Sequence, residues 1–145
     1  DLFKNMVRIS NHELLKMLRQ NARTPFLEIA KALGVSETAV RKRVRKLEKE
    51  GVIKRYTIEV DPKKMGFEIV ALIGIDTTPE SFISALEQLR DMEEVVSLYS
   101  SSGDHMILLE GWFKNMDELA KFVKKLESIE GITKICPAIL LEKIK

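Results

Sequence analysis

The sequence predicts an α+β fold: an N-terminal helix-turn-helix domain over residues 1–51, a connecting strand and linker over 52–66, and a C-terminal split βαβ (ferredoxin-like) antiparallel-sheet domain over 67–145. Three observations carry this. Three runs of helical periodicity fill the first stretch, strict alternation follows them, and the remainder repeats one strand-helix-strand pattern at a spacing of 37 residues. A chain of 145 residues that is 45% hydrophobic and 32% charged has material for one or two small cores and is too apolar to stay disordered. The longest apolar-or-glycine run, Ile69 to Ile75, falls far short of the ~20 residues that cross a bilayer. The polar opening, Asp1 to Ser10, lacks the plan of a signal peptide, so a cytoplasmic protein with no membrane partner is expected. One cysteine, Cys136, forms no internal disulfide, and with only His12 and His105 as imidazoles no zinc-ligand spacing arises. No metal or cofactor is predicted. The high charge and only two glutamines lean towards a thermophilic source.

The first helix starts at Ser10, an N-cap with Glu13 three residues on, and carries Leu14, Leu15 and Leu18 as an apolar stripe until Asn21. The second starts at Thr24-Pro25, with proline pre-set for the first helical position, and places Phe26, Ile29, Ala30 and Leu33 on one face until Gly34. After Gly34 and Val35, Ser36 caps a third helix with Val40, Val44 and Leu47 inward and Gly51 as its left-handed terminator. Two short helices joined by a tight glycine turn form a helix-turn-helix.

Charge supports a nucleic-acid partner. The net charge of +2 divides into +6 for residues 1–62 (14 Lys/Arg against 8 Asp/Glu) and −4 for residues 63–145 (10 against 14). It peaks at Arg41, Lys42, Arg43, Arg45, Lys46 and Lys49, where six of nine residues are cations. At 100° per residue the face opposite Val40, Val44 and Leu47 holds Thr38, Ala39, Lys42, Arg45, Lys46 and Lys49. A helix of this kind fits the major groove of double-stranded DNA, its N-terminal residues at base edges and its later cations at phosphates. Ser36, Thr38, Ala39 and Lys42 are accordingly assigned to bases, Arg43 to bases and phosphate, and Arg45, Lys46 and Lys49 to phosphate. Thr24 is assigned a phosphate at the N-terminus of its helix.

From Val52 to Val60 apolar and polar residues alternate, a strand whose unpaired sides need a partner, in this chain or another copy. Asp61-Pro62-Lys63-Lys64-Met65-Gly66 then reads as a turn-rich boundary. Beyond it, the 37-residue shift lays Ile69–Ile75 on Met106–Trp112. It also lays Phe82, Ala85, Leu86 and Leu89 on Leu119, Phe122, Val123 and Leu126, and Met92, Glu93, Val95 and Leu98 on Ile129, Glu130, Ile132 and Ile135. The helices begin at Thr78-Pro79 and at Asn115 with Glu118. Two such units make a four-stranded sheet with both helices on one face, and the other face needs a lid, for which a second subunit is the natural candidate. Between the units, Ser101, Ser102, Gly103 and Asp104 read either as a plain hairpin loop or as a ligand loop, whose hydroxyls, backbone N–H groups and carboxylate suit an amino-acid effector. His105 reads as a strand-start residue rather than a catalyst.

The order Asn21-Ala22-Arg23-Thr24, Glu28-Ile29-Ala30, Leu33-Gly34-Val35-Ser36, Val40-Arg41-Lys42-Arg43-Val44 and Leu47-Glu48-Lys49-Glu50-Gly51-Val52-Ile53 strongly resembles the Lrp/AsnC (feast/famine) family of prokaryotic transcriptional regulators. The resemblance extends through the connecting strand and sheet domain to Ser102-Gly103-Asp104, where the family has its Gly-Asp turn. It implies a DNA-binding regulator that forms a homodimer through its sheet, dimers that build octamers, and an amino acid bound between subunits near that turn. Two stretches depart from the family pattern: His105-Met106, where a second acid is common, and Ile135-Cys136-Pro137-Ala138, where hydroxyl residues are common. A dimer of this kind presents two recognition helices about one DNA turn, ~34 Å, apart, so its site is expected to be near-palindromic. The alternatives are an architectural DNA-compacting protein and, in another class, an enzyme resembling the siroheme decarboxylases, which share this two-domain build. No paired carboxylates or Ser-His constellation supports the enzyme, and none is predicted.

Overall fold

The computed structural model describes residues 9–145; the first eight residues of the predicted N-terminal domain lie outside them. The chain separates into two compact units, dividing between Glu59 and Val60. That division falls inside the stretch assigned to the linker.

The first unit has three helices, α1 (Asn11–Gln20), α2 (Phe26–Leu33) and α3 (Glu37–Lys49). Each begins where local chemistry favours it. Ser10 Oγ accepts from Glu13 N, and Ser36 Oγ from Ala39 N. Ahead of α2 stands Pro25, the N-cap residue, without a side-chain cap bond. Gly34 (φ 67°) turns the chain out of α2, and Gly51 (φ 76°) ends α3 in a left-handed motif, with Val52 N bonded to Leu47 O (2.9 Å) and Gly51 N to Glu48 O (3.1 Å). Leu14, Leu18, Ile29, Ala30, Val40, Val44 and Leu47 form the core.

The expected strand over Val52–Val60 is not formed in the single chain. Val52 and Ile53 belong to the turn that ends α3, both bonding Leu47 O, and residues 54–60 carry no ladder bonds, with Val52, Tyr56 and Ile58 exposed. The alternation is real, but a strand exists only as half of a pair, and among the described residues no strand pairs with this stretch. Tyr56 is instead tied back to α3, its hydroxyl donating to Glu48 Oε2 (3.2 Å).

The second unit opens with a 3-10 turn at Pro62–Met65, capped by Asp61 and closed by Gly66, followed by β1 (Ile69–Thr77), a 3-10 turn (Pro79–Ser81), α4 (Phe82–Arg90), β2 (Val95–Ser100), β3 (Ile107–Phe113), α5 (Met116–Glu127) and β4 (Ile132–Leu140). The sheet order is β2-β3-β1-β4 with every pairing antiparallel, and the core is shared by the two helices and one sheet face: Ala85, Leu89, Leu119, Phe122 and Leu126 against Ala71, Ile73, Ile75, Ile107, Leu109 and Phe113. This is the predicted α+β split βαβ plan. At α5, Asn115 Oδ1 accepts from Glu118 N while Glu118 Oε2 reaches back to Lys114 N.

The 37-residue repeat holds in the helices and the second strands but not in the first strands. Ala85 and Leu89 correspond to Phe122 and Leu126, all buried. Leu72, however, faces outward, whereas Leu109, laid on it by the same shift, is buried against the helices. The strand copies match at a shift of 36, Ile73 on Leu109 and Ala71 on Ile107, because the second copy has one more residue between the matched strand and helix positions, Leu109 to Phe122 against Ile73 to Ala85. With a side-chain period of two, that single residue exchanges the faces. In the second strands the copies agree to the residue: pairing skips Val96 in β2 and Thr133 in β4, positions 37 apart.

Candidate nucleic-acid interface and ligand loop

With Val40, Val44 and Leu47 buried, the opposite side of α3 is presented outward. Thr38, Lys42, Arg45 and Lys49, at i, i+4, i+7 and i+11, form one exposed stripe, and none of their side chains has a hydrogen-bond or ion-pair partner among the described residues. The neighbouring cations are engaged. Arg41 pairs with Glu37 (2.8 Å) and lies over the Phe26 ring (5.2 Å to its centroid), and Lys46 stands 3.9 Å from Glu50. Ser36 spends its hydroxyl on capping, and Ala39 is half-buried beside it.

Two of the assigned residues are placed differently from expectation. Arg43 does not lie on the stripe. Its guanidinium donates to Ile9 O (3.2 Å) and Asn11 Oδ1 (2.8 Å), fastening the middle of α3 to the start of α1. Thr24 is likewise occupied, its N–H and hydroxyl both donating to Asn21 O (3.0 and 2.6 Å). The open N–H groups at the start of α2 belong to Phe26 and Leu27, because those of Glu28 and Ile29 reach Pro25 O.

The second site candidate sits at the end of the sheet where β2 passes to β3. Ser101 N bonds to Met106 O (2.8 Å), and Ser101 Oγ accepts from Gly103 N (3.1 Å). The loop is therefore closed by a serine side chain, and Gly103 is not left-handed, contrary to the turn chemistry expected of it. Ser102 and Asp104 are exposed, without side-chain partners among the described residues. Beneath the loop lies a contact that sequence inspection missed. Asp76, on the outward side of β1, accepts from Met106 N through Oδ1 and from His105 Nδ1 through Oδ2, both at 3.0 Å. The His105 hydrogen bond, then that from Met106, hold the Asp76 carboxyl below its usual range. The imidazole lies across Gly74, where any Cβ would collide with it. A glycine inside a β-strand was the available signal for such a close approach.

The outer sheet face carries Val70, Leu72, Leu108, Trp112, Tyr99 and Leu140, with Leu72 36% and Tyr99 60% exposed. A separate cleft of about 600 Å³ lies at the other end of the domain from the loop, lined by aromatic rings, among them Phe67 and Trp112, and by both signs of charge, Lys114, Lys121 and Lys125 with Glu93, Glu94 and Glu118. No helix among the described residues is long and apolar enough to cross a membrane.

Comparison with known proteins gives the same two-part division. Residues 8–54 match the family model described as winged helix-turn-helix DNA-binding, and residues 70–145 match that described as the Lrp/AsnC ligand binding domain. A transcriptional regulator LrpA from Pyrococcus horikoshii is 51% identical over 133 residues, covering 91% of this chain and 94% of the relative. The structure of AsnC from E. coli superimposes with a TM-score of 0.82 at 30% identity, covering 95% of each chain. A feast or famine regulatory protein from M. tuberculosis, solved with L-methionine, superimposes with a TM-score of 0.80 at 25% identity, covering 93% of this chain and 92% of that one. With both halves matched in order and half the residues shared with a relative along nearly its whole length, this chain belongs to the Lrp/AsnC family of helix-turn-helix transcriptional regulators.

Proposed function

We propose that this chain is a cytoplasmic, sequence-specific DNA-binding regulator of transcription that works as a homodimer or as an octamer built from four such dimers. The supporting observation is the unpaired stripe Thr38, Lys42, Arg45 and Lys49 on a helix whose other side is fixed in the core. Thr38 and Lys42, near the N-terminus of α3, contact base edges together with Ser36 and Ala39; Arg45 and Lys49, with Lys46 released from Glu50, contact phosphates. The apolar outer sheet face and the exposed alternating residues Val52, Tyr56 and Ile58 are the surfaces on which a second copy docks. An amino-acid effector, the ligand class named for the M. tuberculosis relative, occupies the loop of Ser101, Ser102, Gly103 and Asp104. It acts by binding one assembly more tightly than another. The function rests on DNA recognition, and nothing in it requires a catalytic residue.

The test is recovery of bound fragments from sheared DNA of the source organism at about 0.2 M salt, for the wild type and for Lys42→Ala with Arg45→Ala. A few fragments sharing a near-palindromic site, enriched about 10³-fold and lost in the variant, support the regulator. Equal binding of all fragments supports a DNA compactor instead, and no binding by either protein refutes the assignment of α3.

A further inference from the structure

The start of α3 holds a charge that contact with phosphates does not explain. Glu37 is the first residue of α3, one position before Thr38, at the end of the helix that meets base edges. Its side chain is about half exposed, and one oxygen, Oε1, accepts from Arg41 Nη2 (2.8 Å). The other, Oε2, has no partner among the described residues. Arg41 is itself braced, its guanidinium 5.2 Å from the centre of the Phe26 ring at the start of α2. The carboxylate is therefore held by a side chain that is held in turn. The other acids of this segment stand away from that end: Glu48 receives the Tyr56 hydroxyl, and Glu50 lies beside Lys46 past the last turn. A carboxylate among phosphates weakens binding to every DNA sequence, whereas a base edge that offers it an N–H recovers the loss. In the major groove those donors are the exocyclic amines, N4 of cytosine and N6 of adenine. Adenine sets its N7 acceptor beside the amine and so repels a carboxylate; cytosine does not.

We propose that Glu37 is a specificity-determining residue of the recognition helix: Oε2 accepts from the N4 amine of one cytosine in each half-site, while Arg41, braced on Phe26, holds Oε1. The carboxylate discriminates twice, by accepting from that amine and by repelling an edge that presents only acceptors, as guanine does with O6 and N7. Arg41 is a positioning residue, acting through the carboxylate. An acid at a helix start also favours the helix through its dipole, but that role carries no base preference. The inference rests on the reading of α3 as the DNA-facing helix and deepens it by naming a base.

The test is enrichment of sites from a random duplex library by the full chain, then competition titration of the enriched duplex carrying single-base replacements, for the wild type, Glu37→Gln, Glu37→Ala and Arg41→Met. In the wild type one position of each half-site should favour cytosine by about ten-fold over the other bases. Glu37→Gln should move that preference to adenine, whose N6 and N7 fit an amide. Glu37→Ala should leave the position indifferent and bind unrelated duplexes at least about two-fold more tightly, because a negative charge has gone. Arg41→Met, which still covers the Phe26 ring, should weaken the cytosine preference without moving it to another base. If the wild type enriches a site and both Glu37 variants keep its base preferences unchanged, Glu37 serves the helix end alone, and the proposal falls while the regulator stands. If the wild type enriches no site, the regulator and this inference both fall. Should the variants fail to fold, the wild type decides alone, on the enriched duplex with each cytosine in turn replaced by 2-pyrimidinone, which lacks the amine. A loss of about ten-fold at one position of each half-site supports the proposal, and no loss at any position overturns it.

Discussion

Removing two unpaired cations from the α3 stripe changes how DNA binding depends on salt, by an amount that can be worked out beforehand. Arg45 and Lys49 sit one turn apart on the exposed side, with no ion-pair partner among the described residues, so each is available to a phosphate. Each phosphate neutralised contributes about 0.9 to the slope of log affinity against log salt on duplex DNA. In a dimer, Arg45→Ala with Lys49→Ala deletes four such contacts, and the slope should become shallower by about 3.6. Between about 50 and 200 mM salt the wild type should therefore lose roughly 150-fold more affinity than the variant. Fluorescence anisotropy on one operator fragment over a series of salt concentrations measures this directly. Arg43→Ala is the control: its guanidinium is held by Ile9 and Asn11, so the slope should stay near the wild-type value while stability falls by about 1 kcal/mol. Equal slopes for the wild type and the double variant would refute the outward stripe as the DNA-facing surface.

Three further outcomes are expected. Gly74→Ala places a Cβ against the His105 ring, and the forced shift should lower stability by about 1–3 kcal/mol in urea unfolding; an unchanged midpoint contradicts the packing. Because the folded state holds the Asp76 carboxyl below its unfolded value of about 3.9, the unfolded chain binds that proton more readily. The stability supplied by Asp76 is thus complete above about pH 4 and lost as pH falls through the lower folded-state value. Urea unfolding of the wild type and Asp76→Asn should converge on acidification, and a gap that widens there refutes the assignment. Leu72→Glu, at a third-exposed position on the outer sheet face, should leave the domain folded but weaken self-association at least about ten-fold in sedimentation velocity; an undiminished dimer would mean that the sheet is not its interface.

What was legible in the sequence was whatever nearby residues decide. Ser10, Ser36, Asn115 and Gly51 mark helix ends because the groups they satisfy lie within a few residues, and the α3 core triad follows from a 3.6-residue period. What failed depends on contacts across the chain or beyond it. Val52–Val60 has strand chemistry but no pairing strand among the described residues, and charge counting put Arg43 with the other cations although Asn11, 32 residues earlier, holds it. The phase of the first strands turned on a single extra residue in a connection, which hydrophobic matching does not register. Asp76 and His105 meet across 29 residues of chain, and their only mark was a glycine within a strand.

The skipped residues Val96 and Thr133 bear on what the sheet resists as well as what it builds. β2 and β4 are the two outermost strands, so each shows a row of backbone donors and acceptors to any passing chain, the template from which fibrils grow. An unmatched residue in each breaks the regular spacing of that row, and Pro137 removes one donor from β4 altogether. Lateral growth by strand addition is discouraged on both flanks while the broad apolar side stays open. In a crowded cell full of copies of this chain, open-ended aggregation along either flank is thereby disfavoured.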